Sequence, residues 1–370
     1  MSVGKARHMF PGGNTTLGFF SYYAHIITQE EAEKIYVIKG GPGVGKSMFM
    51  KKVGSEMLQK GYDVEFMHCS SDNNSLDGVV IPALKTALID GTSPHVVDPK
   101  NPGAVDEILN FGDFWDEAGI KRQKMAILKE GKEIGRLFAR AYKYLKAAFC
   151  IYEDSAEIYN KALNKGMLNI LCSQLEKELF SIMDDTMDVG KQRCLFASAI
   201  TPNGYCNFID SIIIVDRVYE IQGGMGTGEE LLLERIKDTA LRKGLNVETY
   251  YCPLNPYKLE HLVIPRLNTA FTTSNAYHRT KKTHNIRLNM MDCMDRELLE
   301  SFKVELDQNR AQFDNLMAVA LAVIKKAKAA HDQLETYYIP NINFKAIDRF
   351  YDSFLPRLMN RGIGSQNSSE

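Results

Sequence analysis

The feature that most constrains this chain is that it contains the same unit twice. Ile38-Lys-Gly-Gly-Pro-Gly-Val-Gly45 and Ile221-Gln-Gly-Gly-Met-Gly-Thr-Gly228 match at an offset of 183 residues. The match continues without a gap through Leu58/Leu241, Lys60-Gly61/Lys243-Gly244, Cys69/Cys252, Ile81-Pro82/Ile264-Pro265, Thr86-Ala87/Thr269-Ala270 and His95/His278. Twenty of the sixty positions from Tyr36 to His95 are identical at that offset, which is nearly half of the 370 residues. With a three-residue adjustment upstream, Arg7, Phe10, Thr15 and Gly18 match Arg193, Phe196, Thr201 and Gly204. Long-period self-similarity marks tandem structural units. The chain therefore reads as two copies of one fold, about 1–190 and 191–370.

Within each copy, short apolar runs lead into Gly-rich turns and then helices, the pattern of a parallel α/β sheet. Strands are expected at about 35–39, 63–68 and 85–90, and at 194–199, 218–222, 247–251 and 268–272. No proline lies between Pro102 and Pro202 or between Pro265 and Pro340, and proline-free stretches accommodate long helices. In the first of them Leu128, Ile134, Leu137, Phe138, Ala141, Leu145, Ala148 and Tyr152 recur at spacings of three and four. That periodicity predicts an amphipathic helix of about ten turns, returning through Ile158 to Phe180. Phe302 to Tyr338 and Phe344 to Met359 repeat the pattern. The expected domains are an α/β part over 1–115, a helical hairpin over 116–190, a second α/β part over 191–295 and a second hairpin over 296–370.

Composition narrows the function classes. Lys+Arg 45 against Asp+Glu 46 leaves a net charge of −1, so no global field draws the chain to nucleic acid or membrane. No apolar run reaches the ~18 residues of a spanning helix, and Met1-Ser-Val-Gly-Lys-Ala-Arg-His8 has no apolar core or cleavage site behind it. The expectation is a cytoplasmic protein. Seven cysteines, at 69, 150, 172, 194, 206, 252 and 293, form no Cys-x-x-Cys pair, and buried free thiols are the simplest reading.

Gly40-Gly41-Pro42-Gly43-Val44-Gly45-Lys46-Ser47 satisfies G-x-x-x-x-G-K-[ST], between an expected strand and a helix that continues through Met48. Such a phosphate loop turns backbone N–H groups inward and adds a helix N-terminus. Lys46 would bridge β- and γ-phosphates, and Ser47 would ligate Mg2+. The magnesium also needs a carboxylate at the end of a neighbouring strand. Asp90, closing Thr86-Ala-Leu-Ile-Asp90, is the leading candidate for that metal and catalytic role, with Asp77 and Asp72 as rivals whose alternative is plain Asx-turn chemistry. In the second copy Lys46 becomes Glu229, Ser47 becomes Glu230, Asp90 becomes Thr273, Asp72 becomes Asn255 and Asp77 becomes Glu260. Reversing a charge next to a triphosphate reverses about 4 kcal/mol per pair at about 4 Å and an effective dielectric of about 20. The second loop is thus not expected to bind Mg-ATP.

Three further features carry open alternatives. His95 is a candidate γ-phosphate contact or a packed loop histidine. The cluster Tyr277-His-Arg279-Thr-Lys281-Lys282-Thr-His284-Asn-Ile-Arg287 offers Arg279 or Arg287 as an internal arginine finger, or is a solvated basic loop. Between Lys121 and Lys146 stand nine Lys/Arg against two Glu, with Lys129, Lys132, Arg136, Arg140 and Lys143 on one helical face. A phosphate-closing lid, a nucleic-acid contact, a membrane-surface helix and a solvated face all fit. Without zinc ligands, an RNA-binding signature or a helix-turn-helix pattern beside it, nucleic acid is not the expected partner.

The loop at 40–47, Cys69-Ser-Ser-Asp-Asn-Asn-Ser-Leu-Asp-Gly78, Asp90-Gly-Thr-Ser-Pro-His-Val-Val-Asp-Pro99 and the altered loop at 223–229 together resemble, over essentially the whole chain, a family of tandem P-loop proteins of spore-forming and related bacteria. Members are usually labelled ATPase or nucleotide kinase. The resemblance implies tandem-duplicated P-loop NTPase domains of α/β class, each followed by a long helical hairpin, with ATP and Mg2+ as ligands. The leading expectation is Mg-dependent ATP hydrolysis with one active and one degenerate site. Phosphate transfer to a nucleotide or small metabolite, and a non-catalytic nucleotide-dependent switch with a protein partner, are the alternatives.

Overall fold

The computed structural model describes residues 3–93, 96–224, 226–282 and 286–364, without the side chains of 361–364. His95 and His284 lie outside the described residues. The first copy runs β1 (Ala6–Met9), β2 (Gly12–Thr15), β3 (Gly18–Ser21), β4 (Lys34–Lys39), α1 (Lys46–Gln59), β5 (Val64–His68), β6 (Leu76–Ile81), β7 (Thr86–Asp90), β8 (Asp106–Asn110), α2 (Glu117–Arg122), α3 (Lys124–Ala162) and α4 (Lys165–Phe180). The second repeats it: β9 (Gln192–Leu195), β10 (Ser198–Thr201), β11 (Gly204–Asn207), α5 (Ile209–Ile212), β12 (Arg217–Gln222), α6 (Glu229–Arg242), β13 (Val247–Tyr251), β14 (Leu259–Ile264), β15 (Thr269–Ser274), β16 (Ile286–Asn289), α7 (Arg296–Ser301), α8 (Lys303–Tyr338) and α9 (Phe344–Gly364).

Each copy builds a six-stranded sheet of the same order, β1-β5-β6-β7-β4-β8 and β9-β13-β14-β15-β12-β16. The sheets are mostly parallel, as the strand-turn-helix pattern predicts, but β6 and β14 run antiparallel to both neighbours. The sequence reading missed these two strands. Only Pro82–Leu84 and Lys85 separate β6 from β7, too few residues for the crossover that a parallel pair requires. The run expected as one strand at 194–199 is also interrupted, ending β9 at Leu195 and starting the hairpin strand β10 at Ser198. The long helices form as the 3.6-residue period predicts, with 39 residues in α3 and 36 in α8.

The chain divides into two compact units that cut across the repeat boundary. One holds 1–11, 23–138 and 325–370, and the other holds 12–22 and 139–324. Each hairpin follows its own copy in sequence, yet its return helix completes the core of the other sheet. In the first unit α9 packs on α1: Phe354 lies 4.9 Å from Tyr36 and 5.2 Å from Phe49 between ring centres, and Leu358 and Tyr351 join the same core. The junction before α9 is stitched to the segment before α2, where the Asp116 N–H donates to the Asn341 carbonyl at 2.7 Å and the Asn343 N–H to the Phe114 carbonyl at 2.8 Å.

The second unit repeats these contacts with the other helices. Leu168, Cys172, Leu175 and Leu179 of α4 pack with Leu232, Leu233 and Ile236 of α6. The Asp295 N–H donates to the Ala162 carbonyl and the Asn164 N–H to the Cys293 carbonyl, both at 2.8 Å. The hairpin β2–β3 also belongs to this unit, through Asn14 Nδ2 donating to the Ile200 carbonyl at 2.9 Å. Among the described residues no helix is long and apolar enough to cross a membrane.

Phe354→Ala tests the exchange. Removing a fully buried Phe costs about 3–5 kcal/mol, so amide exchange in α1 and β4 should accelerate while α6 and β12 keep their protection. Acceleration confined to α6 and β12 would mean that α9 closes its own copy instead.

Candidate functional site

In the first unit the loop 40–47 leaves β4 and enters α1. Gly43 and Gly45 hold φ of 68° and 88°, left-handed values that a β-carbon disfavours. Val44 between them is buried in the core and pins the loop from below. Gly45 is the N-cap of α1, no side chain caps that helix, and no acid lies in its first turn. The free N-terminal partial charge of the 14-residue helix therefore faces the loop.

The Lys46 side chain curls over this loop and is only 8% exposed. Its ammonium donates to the Gly41 carbonyl at 2.8 Å and the Gly40 carbonyl at 3.3 Å, and lies 3.6 Å from Asp90 Oδ2. Parallel pairing of Ile38 with Asp90 brings the end of β7 beside the loop. Asp90 keeps its other oxygen on the Thr92 N–H at 2.9 Å. The Ser47 hydroxyl accepts from the Leu76 N–H at 2.9 Å. Met48 turns its side chain outward, 67% exposed, so of its groups only the backbone faces the helix start.

The rival acids separate clearly. Asp72 closes a turn by accepting from the Asn74 N–H and Ser75 hydroxyl, both at 3.0 Å, and pairs with Lys328 at 3.3 Å. Burial opposes its charge, but those donors hold its carboxyl below the usual range. Asp77 sits buried in β6, on a strand rather than in the expected polar loop. Burial, followed by Asp77 and more weakly Asp90, pushes the Tyr23 phenol well up, and burial followed by Asp77 does the same to the Cys69 thiol. Of the three acids, Asp90 is the one ion-paired to Lys46.

The outer side of this loop is covered from within the same unit. A β-carbon on Gly41 would stand 2.8 Å from the Tyr338 ring, and one on Gly43 3.0 Å from Ile339 and 3.2 Å from Glu335. The end of α8 thus rests on the glycines. Nothing in the sequence pattern signals this cover, because it is set by the helix exchange.

The second unit keeps the backbone of the loop and inverts its charge. Gly226 and Gly228 hold φ of 76° and 88°, and Glu229 stands where Lys46 does. Glu229 is buried and neutralised by Lys258, whose ammonium lies 2.7 Å from Glu229 Oε1 and 2.6 Å from the Tyr152 hydroxyl. Burial alone would depress the Lys258 ammonium, but Glu229 and its other neighbours hold it well above the usual value. Burial raises the Glu230 carboxyl. The sequence reading missed Lys258, although the 183-residue offset pairs it with Ser75 and so identifies the compensating cation. A cavity of about 350 Å³ opens above this pair, lined by Tyr159, Tyr205, Tyr277, Phe313, Arg310 and Asp307 among others.

The basic clusters turn outward. Lys129, Lys132, Arg136, Arg140 and Lys143 are exposed on α3, with Arg136 paired to Glu133 at 2.6 Å. Arg279 is exposed, and Arg287 pairs with Glu220 at 3.7 Å. Comparison with protein-family models, curated proteins and solved structures finds no match to the chain.

Lys258→Met strands Glu229 in the core and should cost about 3–5 kcal/mol of second-unit stability. The double variant with Glu229→Gln should recover most of that loss in urea unfolding. Additive losses would show that the pair is not coupled.

Proposed function

We propose that the first unit binds Mg-ATP at residues 40–47 and hydrolyses it, while the second unit keeps the same loop fold as a nucleotide-free counterpart. The reading rests chiefly on one observation: a buried lysine, Lys46, held by loop carbonyls 3.6 Å from a strand-end carboxylate, at an uncapped helix N-terminus. A phosphate entering the loop offers Lys46 a better partner than two carbonyl oxygens. Ser47 and Asp90 then supply a hydroxyl and a carboxylate suited to magnesium, as expected of phosphoryl-transfer sites. The altered charge of the twin loop supports the same division of labour, since a buried Glu229–Lys258 ion pair stands in the place of Lys46.

A switch reading draws on the cover of Tyr338, Ile339 and Glu335 over Gly41 and Gly43. Seating phosphates in the loop would shift the end of α8 and so carry nucleotide binding to that helix. Kinase activity with a nucleotide or small-metabolite acceptor is a third reading, distinguished by whether phosphate leaves to water.

The test is chromatographic. Incubated with Mg-ATP alone, the protein should release ADP and phosphate, and Lys46→Ala should lose both turnover and binding, by at least about 100-fold. Unchanged ATP affinity in Lys46→Ala would overturn the site. Bound but unhydrolysed ATP in the native protein would move the acceptor or switch readings ahead.

A further inference from the structure

Behind the second loop, three side chains converge that the proposed nucleotide chemistry does not use. Glu260, His261 and His278 are 6%, 2% and 7% exposed, and one ligand-type atom from each lies within 4.8 Å of the others. Two consecutive strand residues ordinarily point to opposite faces. Here Tyr250 pairs with His261 and Tyr251 with Leu259, so Glu260 is the extra residue of a β-bulge, and a bulge re-aims a side chain. The first copy has the same bulge at Asp77, with Gly78 in the place of His261. The added imidazole is particular to the second copy.

The hydrogen bonding of the cluster is incomplete in an ordered way. His261 Nδ1 lies 2.8 Å from Thr272 Oγ1, and His278 Nε2 lies 2.8 Å from Thr273 Oγ1. Two adjacent threonines of β15 thus orient the two rings. Thr272 Oγ1 also lies 3.4 Å from the Thr273 carbonyl; with its hydroxyl donating there it accepts the Nδ1–H of His261, the tautomer that leaves Nε2 with a lone pair. Among the described residues, that Nε2 and Glu260 Oε2 have no hydrogen-bond partner. The nearest ring nitrogen to Glu260 Oε2 is His278 Nδ1, at 4.0 Å. A buried carboxylate oxygen and a buried imidazole nitrogen, in side chains whose ligand-type atoms lie within 4.8 Å of one another, thus lack hydrogen-bond partners, which is costly unless a cation joins them.

We propose that Glu260, His261 and His278 bind one divalent transition-metal ion of the zinc class. Two imidazoles with one carboxylate suit such an ion, whereas magnesium and calcium prefer oxygen ligands throughout. The threonine hydroxyls on the remote ring nitrogens are the outer-shell contacts that fix ligand orientation. Ligands of a tetrahedral ion at ~2.0–2.1 Å stand ~3.4 Å apart, so binding draws the three inward by about an ångström. Glu260 and His278 also line the 350 Å³ cavity, which provides a route for the ion and an open fourth position. The proposal is independent of ATP binding in the first unit.

The experiment uses the full chain, dialysed against EDTA and titrated calorimetrically with Zn2+, with Co2+ absorption as a second readout. One Zn2+ per chain is expected, with visible bands for Co2+. His261→Asn with His278→Asn should weaken Zn2+ binding by at least about 100-fold, and Ser47→Ala with Asp90→Asn should leave it unchanged. Glu260→Gln, nearly isosteric, carries the test if the histidine variant fails to fold, and should weaken binding at least about 10-fold. No Zn2+ uptake by the native chain, undiminished uptake in the ligand variants, or loss only in the Ser47/Asp90 variant would overturn the proposal.

Discussion

Neither repeat covers its sheet with its own return helix, and the rest of the structure depends on where that cover comes from. A sheet-and-helix layer with an apolar face must be covered, and here the covering helix comes from the other repeat. Phe354 and Leu358 fill the core around Tyr36 and Phe49, while Leu168 and Leu175 fill the core around Tyr219 and Leu232. The hydrogen bonds of Asp116 with Asn341 and of Asp295 with Ala162 fasten the two exchanges in the same way. Each unit therefore contains residues from both ends of the duplication, and a chain cut between the copies would lack a core element in each half.

The exchange also decides what lies over the two glycine loops. In the first unit Tyr338 and Ile339 press on Gly41 and Gly43, and in the second Ala156 and Leu163 press on Gly226 and Gly228. The geometry of the loops survives in both units, since the left-handed glycines and the buried residues at 44 and 227 persist. Charge does not survive. The first loop holds a cation against carbonyls and Asp90, and the second holds an anion against Lys258. A buried charge needs a partner wherever it stands, so inverting residue 46 in the copy required a second change, at the position of Ser75. The two changes together replace a buried lysine at the head of the helix with a buried glutamate–lysine pair.

The bulge shared by β6 and β14 has likewise been put to different ends. It turns Asp77 inward beside Tyr23 and Cys69 in the first unit. In the second it brings Glu260 level with His261 and His278. A duplicated backbone irregularity thus acts as a fixed mount whose side chains diverge.

Much of this was legible in the sequence, because it is local. The repeat, the strand-loop-helix order, the glycines at 43 and 45, and the long helices follow from identity at one offset, φ preferences and a 3.6-residue period. The candidate trio Lys46, Ser47 and Asp90 also came from local order, as a loop and a strand end, and Asp90 does stand beside Lys46. What the sequence could not supply were contacts between residues far apart in the chain. Strands β6 and β14 carry no alternation, since both of their faces are buried. The pairing of Lys258 with Glu229, the seat of Tyr338 on the loop and the convergence of Glu260 with His278 each depend on which helix or strand packs where. An amphipathic helix specifies that it has an apolar face but not which sheet will cover it. Two sheets of the same strand order gave each return helix a choice that only tertiary packing resolved.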